Sequence, residues 1–248
     1  MKKTAIDCFW GNRPNKKQRL SKQPSTGNGD GDGDGDSDSG GGEETMPPLF
    51  PFPISLKSDN KIYLNENHLF FNEEINEQTV DTVKKLMRNY VMKTRKVSGN
   101  FLLESSKIKP LYLHLYTPGG LLHAGFSLYD FIISLNNTVP VYTIIEGMVA
   151  SAGTIISMAG VKRYITPSSY MLIHELSAGT WGKYSIMKEE LDNCQKLMDK
   201  ITDIYSRHAT IPKKKLLDIL KHDIIWDANE CLKFGLVHEI KHIDIFTD

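Results

Sequence analysis

The chain carries no excess charge: 30 Lys plus Arg are matched by 30 Asp plus Glu over 248 residues, and the isoelectric point lies near 7.1. With no basic stripe interleaved with aromatics, nothing points to a nucleic-acid partner. Cysteine is scarce. Cys8, Cys194 and Cys231 show no CxxC spacing and have no histidine at ligand spacing. This argues against a disulfide framework or a zinc site and for thiols in a reducing compartment. The chain also lacks an uninterrupted apolar run of membrane length. The best stretch, Val139 to Val161, is broken by Pro140, Glu146, Gly147 and Gly153, which suit a strand, a turn and a buried helix rather than a bilayer span. The opening Met1 to Ile6 imitates a secretory leader, but Asp7, Asn12 and Arg13 interrupt it before an apolar core forms. The expectation is a cytoplasmic protein with no membrane partner.

Residues 1–46 are poor in apolar side chains and contain alternating Gly and Asp from Gly29 to Asp36. Such a segment cannot offset its ordering entropy by burial, so a disordered tail is expected. No register of these aspartates combines the Gly and Glu that a calcium loop requires. The basic cluster from Arg13 to Arg19 is of a kind common in such tails. One folded domain is expected over residues 47–248.

From Leu49 onward, short apolar runs alternate with helical patterns, the signature of βαβ units in an α/β fold. Strands are expected at Leu69–Phe71, Leu111–Leu115, Val139–Ile145, Arg163–Ile165 and Met171–Ile173, and helices at Glu77–Met92, Leu122–Leu135 and Ser151–Ala159. A long helix follows from Lys183 to Ala209, with an apolar seam of Met187, Leu191, Cys194, Met198, Ile201, Tyr205 and His208. That seam suits either its own domain or another subunit. Further helices run from Pro212 to Leu220 and from Asp227, which forms a capping-box pattern with Glu230, to Gly235.

Hydrolysis by an alcohol needs an exposed-turn hydroxyl, an imidazole base, a carboxylate to orient it and N–H groups for the oxyanion. Ser151, in Gly147-Met148-Val149-Ala150-Ser151, stands where a buried strand should pass into a helix. His174 ends the strand Met171-Leu172-Ile173, and Thr117-Pro118-Gly119-Gly120 forms a turn with bare backbone amides. These motifs, in this order, resemble the Clp-type proteolytic subunits. In that family an aspartate lies about fifty residues after the histidine, before a helix ending in Gly-Leu-Val. Asp223 lies 49 residues after His174, and Gly235-Leu236-Val237 follows.

The resemblance spans about Phe70 to Ile240. It implies a crotonase-like fold with a protruding long helix and serine endopeptidase activity by Ser151, His174 and Asp223. It also implies an oxyanion hole from the backbone N–H groups of Gly120 and Ala152. Protein or peptide substrates, a homo-oligomeric chamber and an AAA+ unfoldase partner are implied as well, with no metal and no cofactor of its own beyond the ATP that the unfoldase would use. The alternatives are an inactive Clp-like scaffold subunit and another crotonase-fold enzyme acting on acyl-thioesters. Three departures from the family pattern stand out: Glu175 after the histidine, where a carboxylate is expected to raise the imidazole pKa; Ile224 after the aspartate; and an insertion from Lys93 to Lys109.

Overall fold

The computed structural model describes residues 9–10, 61–97 and 109–242. Most of the tail therefore lies outside the described residues, as does the greater part of the 93–109 insertion. The described residues belong to one compact unit.

Among the described residues there are ten strands and six helices: β1 Phe9–Trp10, β2 Ile62–Asn65, β3 His68–Phe71, α1 Glu77–Val97, β4 Leu111–Thr117, β5 Gly120–Leu121, α2 Leu122–Leu135, β6 Val141–Ala150, α3 Ala152–Met158, β7 Lys162–Ile165, β8 Tyr170–Ile173, α4 Tyr184–His208, α5 Lys213–Ile219, β9 Ile224–Asp227, α6 Ala228–Lys233 and β10 Glu239–Ile240. Eight strands form the main sheet, in the order β10-β7-β6-β4-β3-β2, with β8 joined to β6 and β9 to β8. The pairs β3/β4, β4/β6, β6/β7, β6/β8 and β7/β10 are parallel, and β2/β3 and β8/β9 are antiparallel. Parallel strands need covered crossovers, which the intervening helices provide.

β6 runs further than its apolar composition suggests. Its first half, Tyr142 to Ile145, pairs with β7, and its second half, Met148 to Ala150, pairs with β8. The change of partner falls at Glu146-Gly147, where Gly147 takes φ 62°, a region that costs glycine little. A Cβ there would also press on the Tyr116 ring at 3.1 Å. The expected turn at this glycine is therefore a bend within one strand.

Burial on a helical period sets α1 on the sheet through Val80, Val83, Met87, Tyr90 and Val91. Its start is fixed by reciprocal hydrogen bonds of 2.9 Å: Thr79 N–H to the Asn76 side-chain oxygen, and Asn76 N–H to Thr79 Oγ1. Every residue of α3 is buried. Gly125 of α2 admits it closely, since a Cβ at that position would lie 3.2 Å from Ala152 Cβ. The capping box of α6 is present: Glu230 N–H reaches Asp227 at 2.8 Å and Asp227 N–H reaches Glu230 at 3.1 Å.

The C-terminal elements are pinned by Arg163 of β7, whose guanidinium donates to three backbone carbonyls: Leu236 (2.9 Å), His208 (3.0 Å) and Gly235 (3.0 Å). The side chain is buried. Replacing it with Met would leave carbonyls without donors in a dry interior. Arg163→Met should therefore lower unfolding free energy by about 3 kcal/mol. Urea denaturation with an unchanged slope checks this; a loss below about 1 kcal/mol would show that water replaces the guanidinium.

Candidate active site

The sharp passage from β6 to α3 holds Ser151. Its backbone has φ 58° and ψ −129°, a conformation that costs a non-glycine residue free energy and persists where the surroundings over-determine it. The determinants are visible. Ser151 N–H donates to Leu172 C=O of β8 at 2.9 Å. Its own carbonyl accepts from Thr154 N–H at 2.9 Å and from Thr154 Oγ1 at 2.6 Å. The Thr154 hydroxyl also meets the Tyr205 hydroxyl of α4, which is completely buried. Burial pushes the Tyr205 phenol far above its usual range, so it stays a neutral hydrogen-bonding group. A nucleophile on a tight strand-to-helix turn presents its hydroxyl clear of the backbone.

His174 directly follows β8, and β8 is bonded on one side to β6 and on the other to β9. In the antiparallel β8/β9 ladder, Ile173 faces Ile224 and Leu172 faces Ile225. One step beyond Ile173–Ile224, the same register sets His174 opposite Asp223. Accordingly, His174 Nδ1 lies 3.2 Å from Asp223 Oδ1, within hydrogen-bonding reach. The imidazole is buried and the carboxylate is largely exposed. Ser151 and His174 lie at the same end of the sheet, because Ala150 pairs with Leu172, two residues before the histidine.

The sequence suggests a loop between two helices around Asp223, whereas β9 begins at the next residue. This strand escapes detection because Ile224, Ile225 and Trp226 are too few to show a period. Asp227 is the cap of α6, as expected.

Burial lowers the His174 pKa below its ordinary value of 6.5, and the Asp223 charge offsets part of that shift. The expected rise caused by Glu175 is thus corrected. Glu175 is exposed and its backbone N–H is tied to Leu220 C=O at 2.6 Å. The charge acting on the ring is that of Asp223.

The turn at Thr117 to Gly120 packs directly on the serine. A Cβ on Gly119 would fall 2.5 Å from Ser151 Cβ and 3.1 Å from Ser151 Oγ. Gly119 N–H is held by Thr117 Oγ1 at 3.1 Å. Gly120, at φ 142°, leaves no room for a Cβ, which would lie 2.2 Å from Ile75 C=O. Ala152, the first residue of α3, is buried beside Ser151, and a first-turn N–H has no partner within its own helix. Sequence reasoning missed Thr117, Thr154 and Tyr205, whose roles arise from contacts between distant elements. Among the described residues, no group of three or more His, Cys, Asp or Glu side chains is placed to hold a metal ion.

Residues 59–244 match the Clp protease family. The chain belongs to that family. It is 34% identical over 132 residues to an ATP-dependent Clp protease proteolytic subunit of Deinococcus radiodurans, an alignment covering 52% of this chain and 64% of that relative. It is 30% identical over 181 residues to ATP-dependent Clp protease proteolytic subunit 2 of Treponema denticola, covering 72% of this chain and 83% of that relative. The fold matches a ClpP1 mutant from Listeria monocytogenes with a TM-score of 0.60 at 21% identity, covering 72% of this chain and 92% of that one. The mixed α/β sheet thus has the crotonase-like Clp protease architecture expected from the sequence.

The opposing influences on His174 yield a test that needs no substrate. NMR titration of the ring should show a midpoint below 6.5. Asp223→Asn should move it lower still, because the carboxylate that favours the imidazolium is removed. A midpoint that rises in the variant would show that Asp223 does not act on the ring.

Proposed function

We propose that this Clp-family chain is a serine endopeptidase in which Ser151 is the nucleophile, His174 the general base and Asp223 the orienting carboxylate. The observation carrying this reading is the β8/β9 register, which brings Asp223 to His174 Nδ1 on the strand that also holds the Ser151 turn. Ser151 Oγ attacks the scissile carbonyl and passes its proton to His174 Nε2. Asp223 holds the Nδ1–H tautomer and stabilises the imidazolium. The N–H groups of Gly120 and Ala152 receive the oxyanion. His174 then protonates the departing amine, and water, activated by the same ring, cleaves the acyl-enzyme. The lowered His174 pKa keeps the base neutral at pH 7.

Protein or peptide substrates, a homo-oligomeric chamber and a separate ATP-driven AAA+ unfoldase belong to the same proposal. The relatives' names describe proteolytic subunits of an ATP-dependent protease. Helix α4 supports assembly. Its C-terminal half packs into its own domain through Ile201, Ile204 and Tyr205, while Tyr184, Ile186, Met187 and Leu191 remain exposed. The seam read from the sequence is thus buried in its own domain over its C-terminal half and exposed over its N-terminal half. Among the described residues, no helix is long and apolar enough to cross a membrane.

A fluorophosphonate probe should label Ser151, and Ser151→Ala and His174→Ala should abolish labelling. Asp223→Asn should fold normally yet lose about 10⁴-fold in turnover through the wrong histidine tautomer, whereas Asp227→Asn should keep most activity because Asn also caps. Near-native turnover in Asp223→Asn would overturn the triad.

Leu191→Asp should convert the oligomer to smaller species without unfolding, because Leu191 is 70% exposed. Light scattering and circular dichroism check this. A wild-type monomer would overturn the chamber.

A further inference from the structure

The strand edge beside Ser151 is already occupied by the chain itself. Phe9–Trp10 pairs antiparallel with β5, with Trp10 opposite Gly120 and Phe9 opposite Leu121. The other edge of β5 belongs to Ile75: Ile75 N–H donates to Gly119 C=O at 2.7 Å, and Leu121 N–H donates to Ile75 C=O at 2.8 Å. Peptide groups alternate sides along a strand. The N–H and C=O of Gly120 therefore face away from Ile75, toward Trp10. This is the amide assigned above to the oxyanion, and it adjoins Gly119, which packs on Ser151.

An extended substrate that places its carbonyl at Gly120 N–H would need the same edge, and one edge accepts one strand. We propose that Phe9–Trp10 is a built-in occupant of this edge, an autoinhibitory strand that competes with extended peptide substrates for Gly120 and Leu121. The proposal rests on the peptidase reading and adds a regulatory segment to it.

A two-residue pairing is weak on its own, but the segment is tethered. Phe9–Trp10 belongs to the same chain as β5, and an intramolecular competitor acts at an effective concentration of up to about a millimolar. Occupancy near one half follows if the intrinsic affinity is of that same order. Competition of this kind reduces the competent fraction and raises the apparent KM without altering kcat.

The contact and the competition are read separately. Hydrogen exchange followed by mass spectrometry or NMR should show the Gly120 amide protected in the full chain, and exchanging faster both in a variant lacking residues 1–13 and in Trp10→Pro, which cannot donate an N–H to the ladder. Both variants should lower KM for a small extended peptide by about two- to fivefold at constant kcat. A synthetic peptide of residues 1–13 should inhibit the truncated chain competitively. Unchanged Gly120 protection, or an unchanged KM, overturns the proposal. Loss of the segment from incubated full-length protein by self-cleavage, seen in the intact mass, overturns it too, because the segment would then be a substrate. Failure of the peptidase reading looks different: the fluorophosphonate would leave even the truncated chain unlabelled.

Discussion

Backbone hydrogen bonding places β8 between β6 and β9, and the candidate site depends on that ladder more than on any side-chain contact. The parallel pairing with β6 brings Leu172 C=O to Ser151 N–H, which holds the serine at its positive φ. The antiparallel pairing with β9 sets Asp223 opposite His174. A one-residue slip in either ladder would reverse which side chains face the site. Buried Met171, Ile173 and Trp226 resist such a slip, since each would have to leave the core.

The bend at Gly147 lets β6 serve two neighbours, and without it β8 would have no partner at the end where Ser151 lies. The turn from Thr117 to Gly120 depends on a second set of close approaches. Gly119 against Ser151 and Gly120 against Ile75 exclude any side chain at these two positions. Glycine there provides contact distance first and conformational freedom second. Bracing continues outward through Thr154 to Tyr205, so the long helix supports the Ser151 turn as well as presenting an apolar face. The charge balance at His174 follows from placement in the same way. A buried imidazole beside an exposed carboxylate titrates low, because desolvation of the ring outweighs an attraction that solvent screens.

Local signals were legible where the physics is local. The capping box at Asp227, the helical period of α1 and the apolar strands β4 and β8 follow from side-chain patterns a few residues long. β9 and β5 were not legible: β9 reads as the link between two helical patterns and β5 is only two residues long, so both exist through their partners. The extension of β6 past Gly147 was hidden for a related reason: glycine reads as a turn unless a neighbouring strand is there to pair with Met148, Val149 and Ala150. The apolar seam of α4 was visible, but not its division between an inward and an exposed half, which depends on where the domain ends.

The α/β class and the order of the longer elements were readable from the amino-acid sequence, because hydrophobic periodicity and caps are written along the chain, and Ser151, His174 and Asp223 stand out there as candidates through their resemblance to the Clp-type motifs. The folded arrangement explains why 49 residues separate the histidine from its aspartate: the chain passes through α4 and α5, returns as β9 and pairs in register with β8. The same arrangement makes Tyr205 brace the serine turn and lays Phe9–Trp10 on the edge of β5. These are relations between segments distant in sequence, and only the pairing of backbones and the packing of the core bring them together.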